Sequence, residues 1–198
     1  INSGTVNVTA SRYRTICVDV LVTINGGVVT ATNTNSGLYA ICSSQSSQNG
    51  GVSINGGQVT ATGDGGNIHA DYITIGYTNA SDFITFNSLT TETNGTVKIA
   101  DGKAMTDGTN TYDDQTESST LAALTNKTLR PATYTVSFDI TNDDNDPASQ
   151  TILHGSKATE PTVATRTGYT FSGWKNGETA YDFNSAVTSN LTLTASWI

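Results

Sequence analysis

"INGGVVTAT" spans residues 24–32 and "INGGQVTAT" spans residues 54–62, so the same phrase returns after 30 residues with one letter changed. The first residues, "INSGTVNVTA", read as a third copy, with Ile1-Asn2-Ser3-Gly4 over Ile24-Asn25-Gly26-Gly27 and Val6 over Val29. A period of this length marks a stack of small structural units, none of which can bury its apolar face alone. Within each copy apolar and polar residues alternate, the period of a strand with one buried face. The pieces are Leu38-x-Ala40, Val52-x-Ile54 and Val59-x-Ala61, then Ile68-x-Ala70 and Ile73-x-Ile75.

Three short strands joined by Gly-rich corners make one turn of a coil. Stacking the coils in parallel puts Ile24 on Ile54 and Val29 on Val59, all inward. The 30-residue shift also lays "GNIHAD" (66–71) under "SGLYAI" (36–41). Asn-Gly-Gly suits the corner because glycine reaches positive φ without steric penalty. The fold class expected is all-β, with a right-handed parallel β-helix over residues 1–100. Ile1 already lies inside a repeat, so further sequence is expected upstream.

Composition agrees. The 198 residues are 35% hydrophobic and 13% charged, with 19 glycines and three prolines, which suits many short strands and many turns. The net charge is −8, and the nine basic residues never cluster. Nucleic acid is therefore excluded as a partner. No apolar run approaches the roughly 20 residues that span a bilayer, so no membrane insertion is expected.

After Ala100 the alternation fades and Asp, Asn and Thr accumulate. Residues 101–133 are expected to cap the last open coil, with a short helix from Glu117 to Leu124 started by Ser118 or Thr116. Residues 134–198 should fold separately, beginning with the alternating strand "YTVSFDI" (134–140).

Candidate chemistry is sparse. Cys17 and Cys42 each follow an Ile, and stacked equivalents lie about 4.8 Å apart, which leaves a disulfide or a pair of free thiols open. Metal ligation or a nucleophile lacks partners, since His69 and His154 are the only histidines. Asp139, Asn142, Asp143, Asp144 and Asp146 crowd one turn and could offer oxygen to calcium. The same residue types favour turns for local reasons, and the spacing is not that of an EF-hand. Asp64-Gly65-Gly66 reads as a corner.

Two resemblances follow. "GLYA", "VSINGGQVTATG" and "NIHADYITI" resemble the Gly-Gly-Thr/Val-rich β-helix of secreted and surface-attached bacterial proteins, many of them labelled as containing a carbohydrate-binding domain. The last third is similar to the Listeria–Bacteroides repeat, the internalin B-repeat-like module. The matching residues are Gly155, Pro161, Arg166, "GYTFSGW" (168–174), Tyr181-Asp182-Phe183, Val187, Leu191 and Trp197. The usual short turn after the first strand is replaced by "TNDDNDP" (141–147). This resemblance implies a small β-grasp-like domain with Phe171, Trp174, Phe183 and Trp197 in its core. Trp174 as a sugar platform is the lesser alternative.

Function is then expected to be non-catalytic: an adhesin- or stalk-like fragment at the cell surface or secreted, presenting a binding or spacer surface. Its partners would be a host or environmental glycan or protein, and other domains of the same surface protein. The alternative is a carbohydrate-binding module using Tyr13, Tyr39 and Tyr77 as stacking platforms. A polysaccharide-cleaving enzyme would need paired carboxylates or a base with a neutralising cation. Residues 1–100 hold five carboxylates and three basic residues, and no carboxylate recurs at equivalent repeat positions. Loops could still gather a site from the acidic 101–114 segment and His69. No cofactor is expected.

Overall fold

Alternating Val-x-Ala and Val-x-Ile strands need one dry face, and Gly-rich corners let the chain turn often enough to provide it. The computed structural model describes residues 1–43, 50–63, 67–141, 146–163 and 166–198. Contacts divide the chain into two units, Ile1–Ala132 and Thr133–Ile198. The first unit begins with β1 (Thr5–Ala10), β2 (Ile16–Val18), β3 (Leu21–Ile24), β4 (Val28–Asn33), β5 (Ile41–Ser43) and β6 (Gly51–Ile54). It continues through β7 (Gln58–Gly63), β8 (Ile68–Ile75) and the 17-residue β9 (Phe83–Ile99).

These strands form parallel ladders. β1, β4, β7 and β9 lie in sequence along one ladder. On the other, β2 and β5 and then β3 and β6 lead to β8, which pairs with the second half of β9. Ile24 faces Ile54 and Val29 faces Val59, as the repeat requires, and each is at most 1% exposed. Val52 likewise faces Ile73, and Ile54 faces Ile75.

One register differs from the sequence reading. Ile41, not Leu38, pairs with Ile68, and Cys42 pairs with His69. The cause lies in the corner after β4. Fully buried Asn33 donates through its amide nitrogen to the Tyr13 and Tyr39 carbonyls and to Thr15 Oγ1. This holds residues 34–40 as a loop with a turn at Ser36-Gly37, closed by the Leu38 N–H on the Asn35 carbonyl, so Leu38 never enters a strand.

The Asn-Gly-Gly corner is explained by contact with the repeat before it. Gly27 and Gly57 have φ of 83° and 96°, and a Cβ there would meet the carbonyl oxygens of Gly4 and Gly27 at 2.6 and 2.7 Å. No side chain fits. The asparagines form a ladder, Asn55 Nδ2 donating to Asn25 Oδ1 and Asn25 Nδ2 to Asn2 Oδ1, each at 2.8 Å. Disulfide-bonded Cys17 and Cys42 lie in register on β2 and β5, with Cα atoms 4.6 Å apart.

Residues 101–132 add β10 (Ala104–Thr106), β11 (Thr111–Asp113), α1 (Ser118–Ala122) and β12 (Thr125–Pro131). β12 pairs antiparallel with β9, and α1 also packs on β9. The helix is shorter than the sequence suggested, and neither expected cap serves it. Its N-cap is Glu117, without a side-chain bond. Ser118 Oγ instead accepts the Val97 N–H at 2.8 Å, and Thr116 Oγ1 accepts that of Asp113. Leu121 is fully buried and Leu124 nearly so.

The second unit contains β13 (Thr133–Asp139), β14 (Gln150–Leu153), β15 (Phe171–Asn176), β16 (Thr179–Ala180) and β17 (Leu191–Trp197). Their order is β14-β13-β17-β15-β16, with β13 and β17 parallel and the other neighbours antiparallel. Trp174 is 2% exposed and lies edge-on to Phe138 and Phe171 at 5.0 and 5.7 Å, so it is core and not a platform. Phe171, Phe183 and Trp197 pack around that core. The chain is thus all-β with mixed sheets, and α1 is its one helix among the described residues.

Candidate functional site

The parallel ladder between β8 and β9 breaks at one place. Ala70 pairs with Thr91 and Tyr72 with Thr96, so residues 92–95 bulge opposite Asp71 alone. Asn94 takes φ of 71°. A Cβ on Gly95 would meet the Asp71 carbonyl at 2.5 Å and Thr91 Cβ at 2.6 Å. Only glycine closes this bulge. Across the ladder, the Gly50 carbonyl accepts both the Asp71 and Tyr72 N–H groups, and the Tyr72 ring packs on Gly51, where a side chain would collide with it.

The bulge lifts Glu92 over a buried histidine. His69 Nε2 lies 2.8 Å from Glu92 Oε1, and Nδ1 lies 3.0 Å from Thr90 Oγ1. The Tyr39 ring stacks on the imidazole, centroids 4.1 Å apart and planes within 4°. Asp71 Oδ2 accepts the Gly50 N–H at 2.8 Å. Asp71, Tyr72 and residues 92–96 together line an open cleft. Its two carboxylates are each held, Glu92 by His69 and Asp71 by the Gly50 backbone.

Other ionisable groups tie loops together. Asp82, 5% exposed, accepts the N–H groups of Thr78 and Asn79 at 2.7 and 2.8 Å. Burial pushes its carboxyl up, but bonds from the Asn79, Thr78 and Gly57 backbone and the Thr78 hydroxyl together hold it below its ordinary value. Asp107 accepts N–H groups from Asn110 and Thr109, then an ammonium proton from Lys127 at 2.6 Å. Those bonds, the Asn110 backbone first, hold its carboxyl far below the usual range. Bonding to Asp107 in turn raises the Lys127 ammonium.

A second cleft, in the Thr133–Ile198 unit, is lined by Trp174, Lys175, Tyr181, Asp182 and Phe183 among others. Trp174 Nε1 and the Tyr181 hydroxyl are buried there and have no hydrogen-bond partner among the described residues. Burial, and next the charge of Asp182, raises the Tyr181 phenol.

The candidates from sequence do not come together. Tyr13 is 79% exposed on its own loop. Tyr39 is half-buried and occupied by His69, with the Arg14 guanidinium 5.9 Å from its ring centroid. Tyr77 is 2% exposed, with Lys103 Nζ 4.7 Å from its ring centroid, so it cannot be an outward platform. Ile75 and Gly76 just before it are also buried. In the acidic turn, Asp139 Oδ1 accepts the Thr141 N–H and Asp146 Oδ1 that of Ile140. Asn142, Asp143 and Asp144 lie outside the described residues, as do Asp64, Gly65 and Gly66. Among the described residues no group of three or more His, Cys, Asp or Glu is placed to hold a metal, and no helix is long and apolar enough to cross a membrane.

The pairing of His69 with Glu92 was not visible in sequence. Asn94-Gly95 inside a run of β-formers was the available signal, since that dipeptide interrupts strands. No curated protein matches the chain. Residues 134–196 match the family model of the Listeria-Bacteroides repeat domain.

Proposed function

We propose that this chain is a non-catalytic part of an extracellular, surface-associated protein. On this reading residues 1–100 are coils of a right-handed parallel β-helix that serve as a stalk or presentation surface. Residues 134–198, β-grasp-like, serve as a spacer or binding module, adhesin-fashion. The observation that carries the reading is the match of residues 134–196 to a repeat domain typical of surface proteins. Three features support it. The parallel register recurs from coil to coil. Disulfides persist in oxidising, extracellular compartments, and Cys17 is bonded to Cys42. Asp82, Asp107 and Lys127 are spent on holding loops.

One observation favours a carbohydrate-binding module as the second reading: Tyr13 stands 79% exposed, available to stack on a sugar ring. Incubating the chain with plant, host and bacterial polysaccharides tests the non-catalytic reading. Depolymerisation that disappears on replacing one Asp or Glu would overturn it.

A further inference from the structure

We propose that the open edge of β15 receives an extended, Lys- or Arg-bearing peptide of another protein as an added strand beside the cleft of the Thr133–Ile198 unit. The proposal deepens the reading of that unit as a binding module and rests on it. The sheet order β14-β13-β17-β15-β16 ends in a strand of two residues. β16 pairs only with Lys175 and Asn176 of β15, and the Tyr181 N–H on the Trp174 carbonyl extends that pairing by one bond. Phe171, Ser172 and Gly173 have β17 on one side and, among the described residues, no strand on the other. Such an edge offers main-chain donors and acceptors to a further strand.

A glycine marks where a second backbone fits. Among the described residues four glycines lie within strands, Gly51, Gly63, Gly95 and Gly173. A Cβ on Gly51 would strike the Tyr72 ring, and on Gly63 or Gly95 it would strike the backbone of Asn33 or Asp71. At Gly173 it would meet nothing within 4 Å. The β-bulge there accounts for its φ of 129° but not for the empty space. Strand glycines allow another backbone to approach closely. At Gly173 that backbone is the peptide's.

The cleft supplies the complementary chemistry. Residues 172–175 of β15 line it together with residues 180–184. Trp174, 2% exposed, and Tyr181 bury two polar groups, Nε1 and the hydroxyl, that find no hydrogen-bond partner among the described residues. A buried donor without an acceptor is costly, and native structures keep few of them. An indole N–H only donates and a phenol O–H can donate, so a neutral acceptor serves both. Peptide carbonyls are such acceptors and recur along a strand. Because both groups are shut off from water, engaging them requires residues 181–183, which belong to no strand, to give way.

Charge selects the occupant. Glu160 and Asp182 also line the cleft, against one ammonium, that of Lys175. A cationic segment is favoured there, and by the net charge of −8. The same net charge opposes pairing between two copies of this chain.

The test selects a displayed library of random peptides of about ten residues, enough for one strand, on the full chain. Enriched peptides are synthesised, labelled and titrated by fluorescence polarisation. Proline-poor, alternating sequences with Lys or Arg are expected, their binding weakened by salt. Amide hydrogen exchange in the complex should slow within residues 171–173 and stay unchanged in β14, the opposite edge of the sheet. Tyr181→Phe should weaken binding about three- to tenfold, the scale of one neutral hydrogen bond. It should leave the free chain as stable or more so, since it deletes a buried hydroxyl without a partner. A hydroxyl with a purely structural role would destabilise the free chain instead. Glu160→Gln, at an exposed position, should weaken basic peptides and flatten their salt dependence.

No enriched peptide, protection at β14 in place of residues 171–173, self-association in place of peptide binding, or binding indifferent to both variants would overturn the proposal. Each of these would leave the spacer reading of the unit intact. Cleavage of a bound peptide would instead overturn the non-catalytic reading while keeping the site.

Discussion

The two units solve the same problem, a small β-rich chain needing a dry interior, with different side chains. Residues 1–132 use Ile, Val and Ala in files across parallel strands, such as Ile24 beside Ile54 beside Ile75, each file continued from strand to strand. Residues 133–198 gather Phe138, Trp174, Phe171 and Trp197 edge to edge around one point. A file can lose one member and keep its neighbours above and below, because repeat stability is roughly a sum over adjacent units. A short domain with one aromatic cluster has no such reserve. Damage should therefore stay local in the first unit and spread through the whole of the second.

The largest expected effect tests the second half of that contrast. Trp174→Ala should cost about 3–5 kcal/mol, as for large aromatic truncations, and abolish cooperative unfolding of residues 133–198. The chain's two tryptophans, Trp174 and Trp197, both lie in that unit. Emission from Trp197 would then report an unfolded environment, while amide hydrogen exchange in β4 and β7 stays slow. Fast exchange in β4 and β7 as well would end the idea of independent units.

Ile54→Ala should cost about 2–5 kcal/mol by the same logic of lost burial and a residual cavity. Here exchange should quicken across β3, β6 and β8, which flank the cavity, with Trp emission unaltered. Reduction of the Cys17–Cys42 disulfide, whose partners are 25 residues apart, should lower the first unit's stability by about 2–4 kcal/mol. A denaturation midpoint insensitive to reductant would contradict this.

A smaller effect is expected from Asn25→Ala. It removes the middle of the amide ladder, leaving Asn2 Oδ1 and Asn55 Nδ2 without their partners, at exposed positions. About 0.5–1.5 kcal/mol is the scale for such bonds, so a loss above Ile54→Ala would show that the ladder, not the apolar files, carries the stack.

The finest distinction is in pH. The Asp82 carboxyl is lowered in the folded first unit. Its contribution is present above the ordinary carboxylate range near pH 4 and is lost as pH falls through the lower folded value. The Tyr181 phenol is raised in the second unit, so its contribution is present below about pH 10 and is lost as pH rises through the folded value. Acid should loosen the loop around Thr78 and Asn79, an effect that Asp82→Asn removes. Alkali should shift Trp emission, an effect that Tyr181→Phe removes. Identical pH profiles for wild type and variants would refute both assignments.

Much of the first unit was legible because its information is repeated. The Asn-Gly-Gly corner recurs, and a recurring corner fixes the parallel register of the residues just beside it, Ile24 with Ile54 and Val29 with Val59. The reading slipped three residues on, at Leu38, because the corner after β4 carries no repeated phrase. Its length is set by Asn33, which donates back to the Tyr13 carbonyl and forward to that of Tyr39. The helix caps slipped for a similar reason. Ser118 fits a cap by type, yet its hydroxyl is claimed by the Val97 N–H, a partner 21 residues away.

By itself, then, the sequence determined the alternation, the corners and the aromatic core of the last third. Each of these is a local or repeated pattern whose physical cause acts within a few residues or within one repeat. Tertiary structure alone decided which polar groups share a surface. It buried Tyr77, placed Tyr39 on His69, and set Glu92, Asp71 and Tyr72 around one cleft. The physical reason is the bulge. Gly95 and Asn94 displace β9 against β8 by three residues, and which side chain meets which depends on that displacement.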